Sequence, residues 1–313
     1  MDNLVGSPKF SVIIASYNSA ATLPKAIDSV LAQSYPAYEI IVVDDGSKDG
    51  TAAVASQYGN KVRYHFQQNG GVSSARNTGA ALAEGDWLTF LDADDWYYPH
   101  RLQAHAELLQ RQPGLDFLTG DYHYGHPDGT VISRSIEAAA FGRDILAAQD
   151  ERGSALLTVA DMGQLIPAYF GHTSTLSLPK ATFLALGGFP LTFSIGEDIH
   201  LVIRLCALSQ QAGVSCQPLA IYVIHDGGLM RSNVVKAQTS TVETLLSLKQ
   251  VLMNAAAPIR AGYLLLLLKS RYDLATALIK QGQHGLAIRA FFPAVLESKT
   301  WHSLKMWLSI VKG

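Results

Sequence analysis

Over its first hundred residues the chain alternates short Val/Ile-rich runs with helical stretches, and the breaks between them are brief. Residues 10–15 (FSVIIA), 39–43 (EIIVV), 62–66 and 87–91 (WLTFL) read as strands. Helices are expected at about 21–33, from residue 47 through about 58, and at about 73–83. Strands this apolar are covered on both faces, which calls for a parallel sheet between two layers of helices. Ligands of such sheets bind beyond the carboxyl ends of the strands. Two acidic clusters fall at those ends, Asp44-Asp45 and the group Asp92, Asp94 and Asp95.

The second cluster packs three carboxylates into four positions directly after an apolar strand. Like charges held together disfavour joint ionisation. A divalent cation removes the conflict, because hard oxygen ligands suit magnesium or manganese, which can then hold a pyrophosphate. A solvated acidic turn is the other account of the motif taken alone.

Beyond residue 115 the pattern is less regular. Short strands are expected at 115–119, 173–178 and 219–224, and a helix at 197–209. From about 233 onward the chain reads as helical, interrupted at Pro258 and at the loop 281–285. With 313 residues the chain exceeds the usual reach of a single core, so a large domain with an appendage is expected. Apolar residues at 48% and charged ones at 16% argue for a globular protein. Cys206 and Cys216 lack metal-ligand spacing, and two free thiols point to a reducing, cytoplasmic setting. No secretory leader is read before the first strand, and the greasiest run, 263–268, is too short to span a bilayer.

The net charge of −2 divides unevenly: residues 255–313 carry eight Lys/Arg against two Asp/Glu, a net of +6, which leaves −8 on residues 1–254. An acidic body gives no reason to expect nucleic acid. The basic tail fits either a peripheral contact with an anionic membrane or ordinary solvated helix faces.

Four segments in this order resemble a family-2 glycosyltransferase of the GT-A fold: Ser11-Val12-Ile13-Ile14-Ala15-Ser16-Tyr17-Asn18, Glu39 through Ser47, Asn69 through Gly79, and Asp92-Ala93-Asp94. The resemblance covers about residues 9–230 and is strongest over 10–102. It implies an α/β fold with a mixed, mostly parallel sheet flanked by helices. The catalytic domain would span 1–232, with a nucleotide-sugar half (1–110) and an acceptor half (111–232), followed by a helical extension (233–313). It implies a nucleotide-diphosphate sugar, UDP by family habit, as donor, with Mn2+ or Mg2+ as cofactor.

The resemblance also suggests roles. Ser16 and Tyr17 would meet the nucleoside, with Tyr17 stacking on the base. Asp45 would accept hydrogen bonds from the nucleoside, and Asp44 would support it. Arg76 would contact the donor. Asp92 would lie near the ribose and metal and Asp94 would bind the metal directly, while Asp95 would cap the following turn. Farther on, Gly187-Gly188-Phe189 and Gly196-Glu197-Asp198 resemble the acceptor-side signature. Asp198 would be the catalytic base, Glu197 would orient base or acceptor, and Arg204 would brace the acid pair or the pyrophosphate. His225 resembles a histidine that relatives place near the metal, and residues 230–232 suggest a closing loop.

Ala15 departs from the pattern, since many relatives carry a hydroxyl there, which leaves the nucleotide preference less secure. The Gln-X-X-Arg-Trp motif of processive relatives is absent, so transfer of a single sugar to a glycan or lipid-linked acceptor is expected, in bacterial-type polysaccharide or glycolipid synthesis. A nucleotide-sugar-binding scaffold without turnover is the alternative. A nicotinamide-dependent dehydrogenase would need a Gly-X-Gly-X-X-Gly turn where this chain has Ser16-Tyr17-Asn18-Ser19.

Overall fold

The computed structural model describes residues 7–224, 233–298 and 300–312. The first strands form as the Val/Ile pattern predicts: β1 (Phe10–Ser16), β2 (Glu39–Asp44), β3 (Arg63–Phe66) and β4 (Trp87–Asp92) lie in parallel in the order β3–β2–β1–β4. The register brings their carboxyl ends level, since Ser16 pairs with Asp44 and Ala15 with Asp92. The functional end of the sheet is thus fixed by backbone hydrogen bonding before any side chain is considered.

The remaining strands are short: β5 (Trp96–Tyr97), β6 (Phe117–Gly120), β7 (His123–Gly125), β8 (Val131–Arg134), β9 (Ser154–Leu157), β10 (Ser177–Pro179), β11 (Ala212–Ser215) and β12 (Ala220–Val223). Antiparallel β10 joins β4 to β6, and β11 and β9 complete the large sheet, which is therefore mixed. The strand expected at 173–178 starts late, because Thr173–Thr175 close a tight helical turn and only Ser177–Pro179 pair. A small sheet, β5–β12–β7–β8, covers the region just after β4.

Side-chain alternation along β1 and β2 feeds two cores. Val12, Ile14, Ile40 and Val42 pack on one face with Leu23 and Ile27 of α1 (Leu23–Leu31). Beyond α2 (Thr51–Ser56) the chain reaches α3 (Val72–Leu82), which lies on the opposite face over Ile13, Ile41 and Val43. A Cβ at Gly79 would sit 2.4 Å from Ile13 Cγ2, so glycine there lets α3 approach the sheet closely. α4 (Arg101–Arg111) joins the first face. The second also takes α5 (Ala140–Ala148), α6 (Val159–Ala168), α7 (Lys180–Ala185) and α8 (Glu197–Leu208).

The C-terminal helices pack on this second face. They are α9 (Val234–Ser247), α10 (Ala257–Lys280), α11 (His284–Ser298) and α12 (Trp301–Lys312). Tyr263, Leu267, Phe291 and Ile310 belong to the same buried cluster as Ile13 and Phe90. Pro258 falls in the first turn of α10, where its missing N–H has no helical partner to lose. α10 crosses α6 at a contact between glycines: a Cβ on Gly262 would lie 1.9 Å from the Gly163 carbonyl oxygen. In an open helix Gly→Ala stabilises by about 1 kcal/mol. Here the sign reverses, because the helices must separate, and Gly262→Ala is expected to destabilise by about 1–3 kcal/mol. Denaturant unfolding checks this, and an unchanged or raised midpoint would contradict the packing.

Candidate functional site

A cleft of about 380 Å3 opens at the carboxyl end of β1 and β2. Residues 15–17, Asp45, the glycine-rich residues 69–73 and residues 191–194 line it. This is within the range of small-molecule sites. Asp45 is buried and shapes the glycine-rich wall: its Oδ1 accepts from Gln67 Nε2 (2.6 Å) and the Gly70 amide (2.9 Å), and its Oδ2 from the Gly71 amide (2.7 Å). Oδ2 thus retains acceptor capacity toward the cleft. Asp44 turns away, accepting from the Ser47 amide (2.8 Å) and the Tyr64 hydroxyl (2.7 Å), and so braces the turn after β2. Tyr17 stands 50% exposed at the mouth, its ring free to stack. Ser16 Oγ and Ser73 Oγ are buried and have no hydrogen-bond partner among the described residues, though both residues line the cleft. Buried hydroxyls are rarely left so unless a ligand or water completes them.

At the end of β4 the acids converge with a histidine. Ligand atoms of Asp92, Asp95 and His172 all lie within 4.8 Å of one another. Burial raises the Asp95 carboxyl well above the usual carboxylate range, and the charges of Asp94 and Asp92 push it further. Its Oδ1 accepts from the Val223 amide on β12 (2.8 Å), while Oδ2 is buried without a partner among the described residues. Asp95 therefore does not serve the following turn as expected; pairing of β5 with β12 brings the Val223 amide to it instead. Asp94 is half-buried beside the group, and its charge reaches Asp95, His172 and Tyr222. His172 is lowered by burial, against the pull of Asp92 and Asp198, which favours the neutral imidazole a metal requires.

Arg76, on α3, is buried and joins the two halves of the site. One guanidinium nitrogen bonds Asp92 Oδ1 (2.6 Å) and another Glu197 Oε1 (2.9 Å). Burial pushes Asp92 up, but the charge of Arg76 and the hydrogen bond it donates work against this, and the carboxyl lies below its ordinary value. Glu197 is raised to about 7 by burial and by the adjacent Asp198 charge, which Arg76 only partly offsets. The guanidinium also lies 5.1 Å from the Phe189 ring centre. Phe189 is pinned by Asn77, whose Nδ2 donates to the Phe189 carbonyl and whose Oδ1 accepts from its amide, each at 2.8 Å. Asp198, in the first turn of α8, accepts from the Ile199 amide and from the Tyr169 hydroxyl, both at 2.7 Å.

The structure thus brings Ser16, Tyr17 and Asp45 to one cleft and ties Arg76 to Asp92 and Glu197. Arg204 is not among them: its guanidinium bonds the carbonyls of Leu186 and Gly188, each at 2.5 Å, and so clamps the turn that leads to Phe189. His225 and residues 230–232 lie outside the described residues. Sequence reasoning missed His172 and Tyr169. Both belong to an irregular stretch without periodicity, and a histidine facing the acids across the fold leaves no local signal. Asn77 and Ser73 sat in plain view within the Asn69–Gly79 motif but were given no role.

Residues 11–157 match the family described as Glycosyl transferase family 2. An uncharacterized glycosyltransferase of Rickettsia prowazekii, RP339, is 31% identical over 240 residues, covering 77% of this chain and 68% of its own. The chain spans 66% of a second curated relative, from Rickettsia typhi, and 31% of one from Rickettsia felis. Among solved structures, Staphylococcus aureus TarS 1-349 in complex with UDP-GlcNAc aligns with a TM-score of 0.67 at 20% identity, over 97% of this chain and 90% of that one. The mannosyltransferase PcManGT of Pyrobaculum calidifontis, in complex with GDP-Man and Mn2+, aligns at 0.58 and 17% identity over 98% and 86%. These neighbours share the fold, and the sequence matches add the kinship: the chain belongs to glycosyl transferase family 2.

Proposed function

We propose that the chain transfers one sugar, with inversion and in a metal-dependent reaction, from a nucleoside-diphosphate sugar to a hydroxyl of a glycan or lipid-linked acceptor. The observation that carries the reading is the Arg76 bridge, which sets the Asp92 group and the Glu197-Asp198 pair on either side of one guanidinium. The nucleoside occupies the cleft, its base on Tyr17, with the spare lone pair of Asp45 and the orphaned hydroxyls of Ser16 and Ser73 taking its polar groups. UDP is the favoured nucleotide, in keeping with the UDP-GlcNAc complex of TarS. Synthesis of cell-surface polysaccharide or glycolipid is the proposed setting.

Asp92, Asp95 and His172 make a donor set of two carboxylates and an imidazole, and Asp95 Oδ2 is buried without a partner among the described residues, which fits a divalent ion. Asp94, half-buried next to Asp95, is a further direct ligand in this proposal. The imidazole favours Mn2+ over Mg2+, whose ligands are oxygens. Once bound, the ion neutralises charge on the diphosphate. Asp198 takes the proton from the acceptor hydroxyl. The acceptor oxygen then bonds the anomeric carbon from the face opposite the departing diphosphate, which inverts that centre. Glu197, held by Arg76, keeps the base and donor sides in register.

No helix among the described residues is long and apolar enough to cross a membrane. On α11 and α12, Phe292, Leu296, Trp301 and Val311 are exposed, as are Arg289 and Lys305, and the Lys305 ammonium lies 5.8 Å from the Trp301 ring centre. Aromatic, aliphatic and basic side chains in this mixture suit the surface of an anionic bilayer. We read these helices as a peripheral membrane contact that brings the site to a lipid-linked acceptor.

In a screen of nucleotide sugars with Mn2+, Asp198→Asn is expected to cut turnover by on the order of a hundredfold while donor affinity holds. Unchanged turnover would remove Asp198 as base, and donor binding without turnover in the parent protein would favour a scaffold. Asp94→Ala is expected to abolish metal-dependent donor binding. His172→Ala should weaken Mn2+ binding by on the order of tenfold or more, the least that loss of a supporting group costs. Calorimetric Mn2+ titration reads both, and parental affinity in the His172 variant would take it out of the metal site. For the membrane contact, Trp301→Ser with Leu296→Ser should reduce flotation with anionic liposomes, and flotation equal to the parent would reject it.

A further inference from the structure

Tyr169 occupies a position that a tyrosine rarely takes. It ends α6 in a left-handed conformation, φ 30° and ψ 64°, with its amide donating to the Leu165 carbonyl. Among the described residues only Asn18 is a second non-glycine residue at positive φ, and asparagine tolerates that region far better than a bulky aromatic side chain does. Backbone outliers of this kind persist where the surroundings hold them, and they gather at functional sites. The hydroxyl of this strained residue reaches Asp198 Oδ2 at 2.7 Å. The other oxygen of Asp198 accepts from the Ile199 amide at 2.7 Å. Each carboxylate oxygen thus has one fixed donor and keeps a lone pair free.

We propose that Tyr169 is a positioning residue for the catalytic base: its hydroxyl fixes the plane of the Asp198 carboxylate so that the remaining lone pair faces the acceptor hydroxyl. This rests on the reading of Asp198 as base. Burial, and then the Asp198 charge, raise the Tyr169 hydroxyl well above its ordinary value, so it stays protonated and donates throughout the working range. Tyr122 and His172, from other elements, and Glu197, from the same helix, also face Asp198, but no hydrogen bond from them to its carboxylate occurs among the described residues. The tyrosine hydroxyl is therefore the side-chain group that sets its orientation.

A double-mutant cycle tests this in the full chain, using Tyr169→Phe, Asp198→Asn and the two combined, with kcat and donor affinity measured for each. Phe keeps the partly buried ring, and parental donor affinity certifies an intact fold. Tyr169→Phe is expected to lose on the order of tenfold in kcat with donor affinity unchanged, and to cost nothing further in the Asp198→Asn background, because groups acting as a unit are not additive. A kcat within about twofold of the parent, or the same loss in both backgrounds, would overturn the positioning role while leaving Asp198 as base. Full turnover in Asp198→Asn alone would instead remove the base, and the Tyr169 proposal with it.

Discussion

The site depends on one buried guanidinium. Arg76 reaches Asp92 at the tip of β4 and Glu197 at the start of α8, two residues more than a hundred positions apart in sequence. Removing one partner of such a buried pair typically costs about 3–5 kcal/mol, because the charge left behind has neither water nor counter-ion. The arrangement therefore holds together or fails together. It is kept in place by close packing: Gly79 lets α3 settle onto the sheet, Asn77 fixes the backbone of Phe189, and Phe189 lies against the guanidinium and Phe90.

Around that bridge each layer has its own physical cause. Parallel pairing of β1 with β2 and β4 levels the strand ends, so that Ser16, Asp44 and Asp92 start from neighbouring backbone positions. The carboxylate of Asp45 organises the glycine-rich wall by accepting from its amides, and the same wall closes the cleft. The small sheet brings the Val223 amide to one oxygen of Asp95 and leaves the other buried without a hydrogen-bond partner among the described residues. The C-terminal helices share the core on the α6 and α8 side, which gives the face opposite α1 and α4 its thickness.

Much of this was legible in the chain. The Val/Ile runs ending in acids fixed both the strand positions and the end of the sheet that matters, because period and punctuation are local properties. Arg76 and Glu197 were visible as motif residues, but their direct pairing was not, since it needs the closure of the sheet by β10 and the docking of α8. His172 and Tyr169 were invisible for the same reason, sitting on a turn after α6 whose course is decided by packing. Asp95 and Arg204 were misjudged because adjacency in sequence suggested partners that the tertiary structure replaced with the Val223 amide and with the carbonyls of Leu186 and Gly188. Within the small sheet, β12 forms inside the run expected at 219–224, whereas β5, β7 and β8 are each too short to display an alternation.

A crystal structure with Mn2+ and UDP, phased to show the anomalous signal of manganese, tests the central claim most directly. The account predicts a manganese peak among Asp92, Asp95 and His172, with the uracil against Tyr17 and the diphosphate running from the cleft toward that peak. Manganese bound away from these side chains, or a nucleotide outside the cleft, would contradict it.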